Sequence, residues 1–93
     1  MIQRLVLDVL KPHDPGLIEF TEYVESLDEV SGVTSKLVEI EENVRTIRVA
    51  IEGEGLDPDR IEAEIADIGG SIHSIDEVSA GERIVDDRWL PRR

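Results

Sequence analysis

Cysteine is absent from this 93-residue chain, and aromatic side chains are nearly absent, with one Phe, one Trp and one Tyr. Without cysteine the chain has no disulfide, no thiolate chemistry and no sulfur-ligated zinc or iron–sulfur centre. Basic residues are also scarce, since 10 Lys and Arg stand against 22 Asp and Glu and leave a net charge of −12. A surface this acidic repels phosphate backbones, and the chain lacks the aromatic side chains on which bases stack. We therefore expect no nucleic-acid partner.

Long apolar runs are missing as well. No run approaches the ~18–20 residues that a membrane helix needs, and no signal peptide opens the sequence. Ile, Val and Leu nevertheless total 29 residues, which is too many for a disordered acidic tail. We therefore expect a soluble, cytoplasmic domain without a membrane partner. Acidic residues spread along the whole chain suit a protein of high-salt surroundings, and an ordinary acidic cytoplasmic protein is the alternative.

The first half of the chain shows a strand followed by a helix. Residues 3–10 are apolar and β-branched and stop before Pro12, which predicts a buried strand. Asp14 and Pro15 predict a helix start, with Asp14 as the N-cap and Pro15 at the first helical position. The helix is expected to bury residues at helical spacing and to end at Ser31-Gly32; these residues are Leu17, Phe20, Val24 and Leu27.

The rest of the chain predicts a hairpin, a second helix and a last strand. Residues 33–42 and 44–52 read as two strands, with Asn43 taking a positive-φ turn position. Asp57-Pro58 repeats the helix-start signature, and Gly69-Gly70 ends the helix. Residues 71–78 form the last strand. Ile61, Ile65 and Ile68 would form the buried side of this helix.

The resulting order, β-α-β-β-α-β, is that of an α+β ferredoxin-like sandwich, a four-stranded antiparallel sheet with two helices on one face. We expect residues 1–81 to form this single domain and residues 82–93 to form a C-terminal tail. Nothing in the chain would cover the other sheet face. Val6, Leu10, Ala50 and either Ile72 or Ile75 would leave that face partly apolar, as is usual for an association surface.

Motifs for catalysis are largely missing, so we expect no enzyme and no catalytic residues. The glycine-rich phosphate cradles of nucleotide enzymes and the context of a serine nucleophile are absent. In an antiparallel sheet of this order, Asp8 and His13 would lie near His73, and carboxylate and imidazole together bind divalent metals. Asp76 and Glu77 could also hold calcium or magnesium. Alternatively, Asp8 pairs with Lys11 or Arg4, His73 bonds to backbone, and Asp14 only caps the helix.

Two stretches resemble a known family. The first stretch is Val6-Leu7-Asp8-Val9-Leu10-Lys11-Pro12-His13-Asp14-Pro15, and the second is Gly69-Gly70-Ser71-Ile72-His73-Ser74-Ile75-Asp76-Glu77-Val78, followed by Ala80-Gly81. They are similar to the opening motif and the closing motif, respectively, of the archaeal family called domain of unknown function 211. The resemblance spans residues 1 to about 85. It implies a ferredoxin-like fold, ring-shaped homo-oligomers, an archaeal source and, with the acidity, a halophile. It implies no activity, and residues 86–93 match no motif of the family.

These observations favour a non-enzymatic, homo-oligomeric, ring-like binding or scaffold module that holds a cation or small ligand between subunits. A divalent cation is the one cofactor considered, and the candidate ligands are Asp8, His13, Asp14, His73, Asp76 and Glu77. The alternatives are a regulatory small-molecule-sensing domain similar to amino-acid-binding modules, and a metal-dependent enzyme. The tail has four Arg against three acidic residues and is expected to contact a neighbouring subunit through Ile84, Val85, Arg88, Trp89 and Leu90, unless it is a frayed terminus.

Overall fold

The computed structural model describes residues 1–86 and confirms the predicted order of elements. These are β1 (Ile2–Lys11), α1 (Leu17–Glu25), β2 (Val30–Ile40), β3 (Arg45–Gly53), α2 (Pro58–Asp67) and β4 (Ser71–Ala80). The strands form one antiparallel sheet in the order β2-β3-β1-β4. This is the α+β ferredoxin-like sandwich. Neither of these helices is long and apolar enough to cross a membrane.

The core lies between the helices and one face of the sheet. Alternate residues of the central strands point into it, and each helix adds residues at helical spacing, so the two periodicities meet in one layer. The buried side chains are Leu5, Leu7 and Val9 of β1, Ile47, Val49 and Ile51 of β3, Phe20 and Val24 of α1, and Ile61 and Ile65 of α2. Among residues 1–86 no element covers the opposite face, which we call the open face.

The two predicted helix starts have different outcomes. Asp57 is the N-cap of α2, since its Oδ1 accepts hydrogen bonds from the backbone N–H of Asp59 at 3.1 Å and of Arg60 at 3.4 Å. The prediction for Asp14 is wrong, because α1 begins at Leu17 with Gly16 as its N-cap. The Glu19 carboxylate accepts the Gly16 N–H at 3.3 Å, so the third helical residue, rather than Asp14, satisfies this helix end.

Two boundaries also differ from the sequence prediction. Helix α1 ends at Glu25 and β2 begins at Val30, so Ser31 and Gly32 belong to a strand and do not end the helix. No residue other than glycine has a positive φ within residues 1–86, so the turn conformation predicted for Asn43 is wrong. The connection between β2 and β3 is four residues long and closes with a hydrogen bond from Glu41 N–H to Val44 O at 2.8 Å. A two-residue turn would require positive φ, and this longer loop does not.

Strand β4 departs from simple alternation. His73 and Asp76 are the extra residues of two β-bulges, because the pairing with β1 shifts by one residue across each of them. The apolar residues of β4 therefore recur every third position on the helix-covered face, where Ile72, Ile75 and Val78 pair with Val9, Leu7 and Leu5. The prediction that Ile72 or Ile75 lies on the open face is wrong. Residues three apart in a regular strand face opposite sides of the sheet, but the extra residue in each bulge brings them to the same side.

Candidate functional site

The open face is crossed by two clusters of ion pairs. Arg4 on β1 contacts Glu52 on β3 at 2.5 Å and Glu77 on β4 at 2.8 Å. Further along the sheet, Arg48 on β3 contacts Asp8 on β1 at 3.1 Å and Asp76 on β4 at 3.4 Å. Each arginine thus links three neighbouring strands. Val6, Leu10 and Ala50 share this face and are only half-buried, so the face alternates small apolar areas with paired charges.

Three of the predicted metal ligands are engaged in these clusters. Asp8 and Asp76 share Arg48, and Glu77 contacts Arg4. The hydrogen bond to Asp8 and the field of both carboxylates raise the pKa of the Arg48 guanidinium above its ordinary value. Neither Lys11 nor Arg4, the two pairings considered for Asp8, is its partner. A guanidinium already supplies the positive charge that a metal ion would bring to these carboxylates.

The other three candidates lie apart. His13, Asp14 and His73 are all exposed, and His13 contacts Arg45, with 3.0 Å between Nδ1 and Nη2. His73 is adjacent to Ser74, which is the register partner of Asp8. Within the described part of the chain no three His, Asp or Glu side chains converge on a point where they could hold a metal ion. A cation shared between subunits stays a prediction.

A different group of residues surrounds the end of β1. Lys11 is only 4% exposed and is the one buried charged residue among residues 1–86. Its Nζ donates to the Pro12 carbonyl oxygen at 2.7 Å. Its register partner on β3 is Arg45, so two positive side chains stand directly opposite each other. Burial, and secondly the charge of Arg45, lower the pKa of Lys11 below 10.5, while Asp14 acts in the opposite direction.

These side chains line a cavity of about 150 Å³, which we call the β1 pocket. One end is formed by Lys11, His13 and Arg45, and the rest by Gly16, Leu17, Leu37 and Ile47. His13 was among the ligand candidates predicted from the sequence, whereas Lys11 and Arg45 were not. The alternation of buried side chains along each strand could have identified both residues. Lys11 continues the buried series Leu5, Leu7 and Val9 of β1, and Arg45 lies two positions before Ile47 in the buried series of β3.

The sheet has two free edges, β2 and β4, within the described residues. Apolar side chains are exposed on both. Ile75 is 50% and Val78 54% exposed on β4, and Leu37, Val38 and Ile40 are exposed on β2. In the tail, Ile84 and Val85 are exposed, whereas Arg88, Trp89 and Leu90 lie outside the described residues. The predicted contact of the tail with a neighbour stays a prediction.

Comparison with known proteins gives two matches. The sequence profile of the family described as uncharacterized ArCR, domain of unknown function 211, matches residues 3–92. An uncharacterized protein of the archaeon Methanocaldococcus jannaschii is 42% identical over 91 residues, which cover 98% of this chain and 94% of that protein. Both matches run through the β1 pocket, the open face and both sheet edges. Neither the description of the family nor the name of the archaeal relative states an activity.

Proposed function

We propose that this chain, which belongs to the domain of unknown function 211 family, is a non-enzymatic module whose identical subunits join through the free edges of their sheets. The observation that supports the proposal is the pair of unlike edges, each without a neighbouring strand among residues 1–86 and each with exposed apolar side chains. An edge of this kind is a template for pairing with another chain. Joining β2 of one subunit to β4 of the next is a head-to-tail contact, and repeating it closes a ring when the rotation permits.

The energy of such a contact comes from two sources. Ile75 and Val78 are about half exposed, so covering each contributes about 1 kcal/mol, half of the roughly 2 kcal/mol for burying a whole aliphatic side chain. Val38 and Ile40 on β2 add similar amounts. Backbone hydrogen bonds along strands of 10 and 11 residues supply the rest and fix the orientation. A net charge of −12 per subunit opposes assembly, so we expect the contact to strengthen in high salt.

The non-enzymatic part rests on the state of the carboxylates. General acid–base catalysis needs a carboxyl or imidazole group that is free to exchange a proton with a substrate. Asp8, Asp76, Glu52 and Glu77 are instead held by arginines on the open face. These carboxylates therefore serve to hold neighbouring strands together through ion pairs with Arg4 and Arg48.

Two edge variants test the assembly. Ile75→Lys places a charge on the β4 edge, and Val38→Lys places one on the β2 edge. Ala66→Lys, at an exposed position of α2, changes the net charge equally and serves as the control. By light scattering in 2 M KCl we expect several subunits for the wild type and Ala66→Lys, and monomers for each edge variant. An equimolar mixture of the two edge variants should give dimers, since each retains one intact edge.

Three outcomes would contradict this proposal. A wild-type mass of 10.4 kDa at every micromolar concentration would show that the chain does not assemble. A wild-type mass for both edge variants would place the contact elsewhere. Finally, mixed edge variants that stay monomeric would exclude a head-to-tail contact, because a β2-to-β4 junction remains available to them.

A further inference from the structure

The β1 pocket contains two positive side chains, Lys11 and Arg45, that no carboxylate of residues 1–86 approaches within 4.0 Å, although Asp14 acts on Lys11 from further away. Among residues 1–86, Arg4, Arg48 and Arg60 each have a carboxylate partner within 4.0 Å, whereas Lys11 and Arg45 have none. Like charges placed directly opposite on paired strands are destabilising, and burying the Lys11 ammonium adds to that cost. In a protein with more than twice as many acidic as basic residues, a pair of cations without a close carboxylate partner beside a cavity indicates that an anion enters it.

Hydrogen-bond donors remain free at this end of the pocket. Lys11 Nζ donates to the Pro12 carbonyl and has further N–H groups. Arg45 donates from Nη1 to the Glu41 carbonyl at 3.2 Å and shares Nη2 with His13, which leaves three of its five N–H groups. Because a guanidinium only donates, His13 Nδ1 accepts, and the ring hydrogen lies on Nε2 as one more donor. The polar end therefore offers several donors and suits the oxygens of an anion.

The remaining wall of the pocket limits the class of anion. Leu17, Leu37 and Ile47 form an apolar surface next to the donors. A cavity of about 150 Å³ equals the volume of about five water molecules at about 30 Å³ each, enough for a molecule of roughly five to seven non-hydrogen atoms. The Gly16 N–H at the start of α1 adds no donor to the pocket, since the Glu19 carboxylate already accepts it.

We propose that the β1 pocket binds a small monocarboxylate with a short apolar chain, its carboxylate on Lys11 and Arg45 and its hydrocarbon against Leu17, Leu37 and Ile47. The planar guanidinium of Arg45 matches the two oxygens of a carboxylate. Inorganic phosphate would leave the apolar wall unused, and its second charge would be repelled by the acidic surface. The bound carboxylate would also supply the negative charge that the Lys11–Arg45 pair lacks.

The test is a titration of the full-length protein with isovalerate, followed by ¹H–¹⁵N NMR. We expect saturable shifts of amides near residues 11–17 and 45–47, and binding of the neutral isostere isovaleramide at least about tenfold weaker, because it lacks the charge. Lys11→Met and Arg45→Gln should each weaken isovalerate binding about tenfold, equivalent to about 1.4 kcal/mol for the lost charged hydrogen bond. Lys36→Met, which changes the other lysine at an exposed position of β2, is the matched control and should leave binding unchanged.

Several results would overturn the proposal. These are no saturable shift with isovalerate at tens of millimolar, equal binding of isovaleramide or of inorganic phosphate, and equal effects of the two lysine variants. Spectral dispersion and melting temperature show whether Lys11→Met folds, and Arg45→Gln tests the same site independently. Because Lys11 lies on the central strand β1, Lys11→Met leaves both free edges of the sheet unchanged, and measuring its oligomer mass separates a failure at the pocket from a failure of assembly.

Discussion

Among the glycines, Gly53 is the position with the least room for a side chain. It ends β3 and pairs with Val30 at the start of β2. A Cβ atom built at Gly53 would lie 2.0 Å from the Glu29 carbonyl oxygen and 2.9 Å from Leu56 Cδ2. Carbon and carbonyl oxygen ordinarily approach no closer than about 3.3 Å, so Gly53→Ala requires the backbone to separate by more than about 1 Å.

The cost can be placed at the upper end of the range for overpacking. Inserting a methyl group into a packed site usually costs about 1–3 kcal/mol when side chains can move aside. Here the obstacle is backbone, Leu56 belongs to the core, and the Glu29 side chain is held by Arg60 at 2.8 Å. We expect about 3 kcal/mol or more, which lowers the melting temperature of a domain of this size by about 12–24 °C.

Gly32→Ala is the matched control, since Gly32 lies in β2 and its Cβ would meet no atom within 4 Å. We expect this variant to stay within about 0.5 kcal/mol of the wild type. Both are measured by thermal and urea denaturation at one protein concentration and salt, because assembly makes the melting temperature depend on both. If Gly53→Ala melts no lower than Gly32→Ala, the close approach of Glu29 to the end of β3 is refuted.

Three other perturbations test separate features. Asp57→Ala should lower the free energy of unfolding, measured by urea denaturation, by about 1 kcal/mol because it removes the N-cap of α2. Asp14→Ala should leave that free energy nearly unchanged, and an equal loss for both variants would show that Asp14 is a cap after all. Lys11→Met should stabilise the protein by up to about 1 kcal/mol near neutral pH by removing the charge opposite Arg45. Because the pKa of Lys11 is lower in the folded chain than its ordinary 10.5, the unfolded chain holds more protons between the two values. The wild type therefore gains stability relative to Lys11→Met as pH rises through that window, and a constant difference up to about pH 11 would contradict the burial of this ammonium. Raising KCl from about 0.1 M to about 2 M should raise the melting temperature, since screening a net charge of −12 outweighs the weakening of a few exposed ion pairs; a flat or falling curve would argue against salt adaptation.

The fold could be predicted because its two periodicities are plain in the sequence. Ile47, Val49 and Ile51 alternate in a strand, and Ile61 and Ile65 repeat at helical spacing behind the Asp57-Pro58 start. The same Asp-Pro pair was misleading at Asp14, where the Glu19 side chain reaches Gly16 and the helix begins later. A cap is thus recognised by which carboxylate can reach the free N–H groups, and the dipeptide alone does not decide it.

The faces of β4 could not be predicted, because its apolar residues recur every third position. Ile72, Ile75 and Val78 fit neither the period of a strand nor that of a helix. Only pairing with β1 reveals the bulges at His73 and Asp76 that bring all three to one face. The bulge at Asp76 also determines the partner of this predicted metal ligand, because Asp76 lies on the open face and contacts Arg48 there.

The alternation of side chains between the two faces of a strand explains why the observed charge pairs differ from those predicted from the sequence. Asp8 and Lys11 lie three residues apart in β1, so their side chains leave opposite faces of the sheet and cannot pair. Arg4 shares the face of Asp8, but four residues separate them by about 13 Å along the strand. Arg48 stands directly opposite Asp8 on β3 and takes that carboxylate. The parity that separates Lys11 from Asp8 also places it on the covered face opposite Arg45, three positions before Arg48. One register therefore pairs the charges on the open face and leaves two cations unpaired in the β1 pocket.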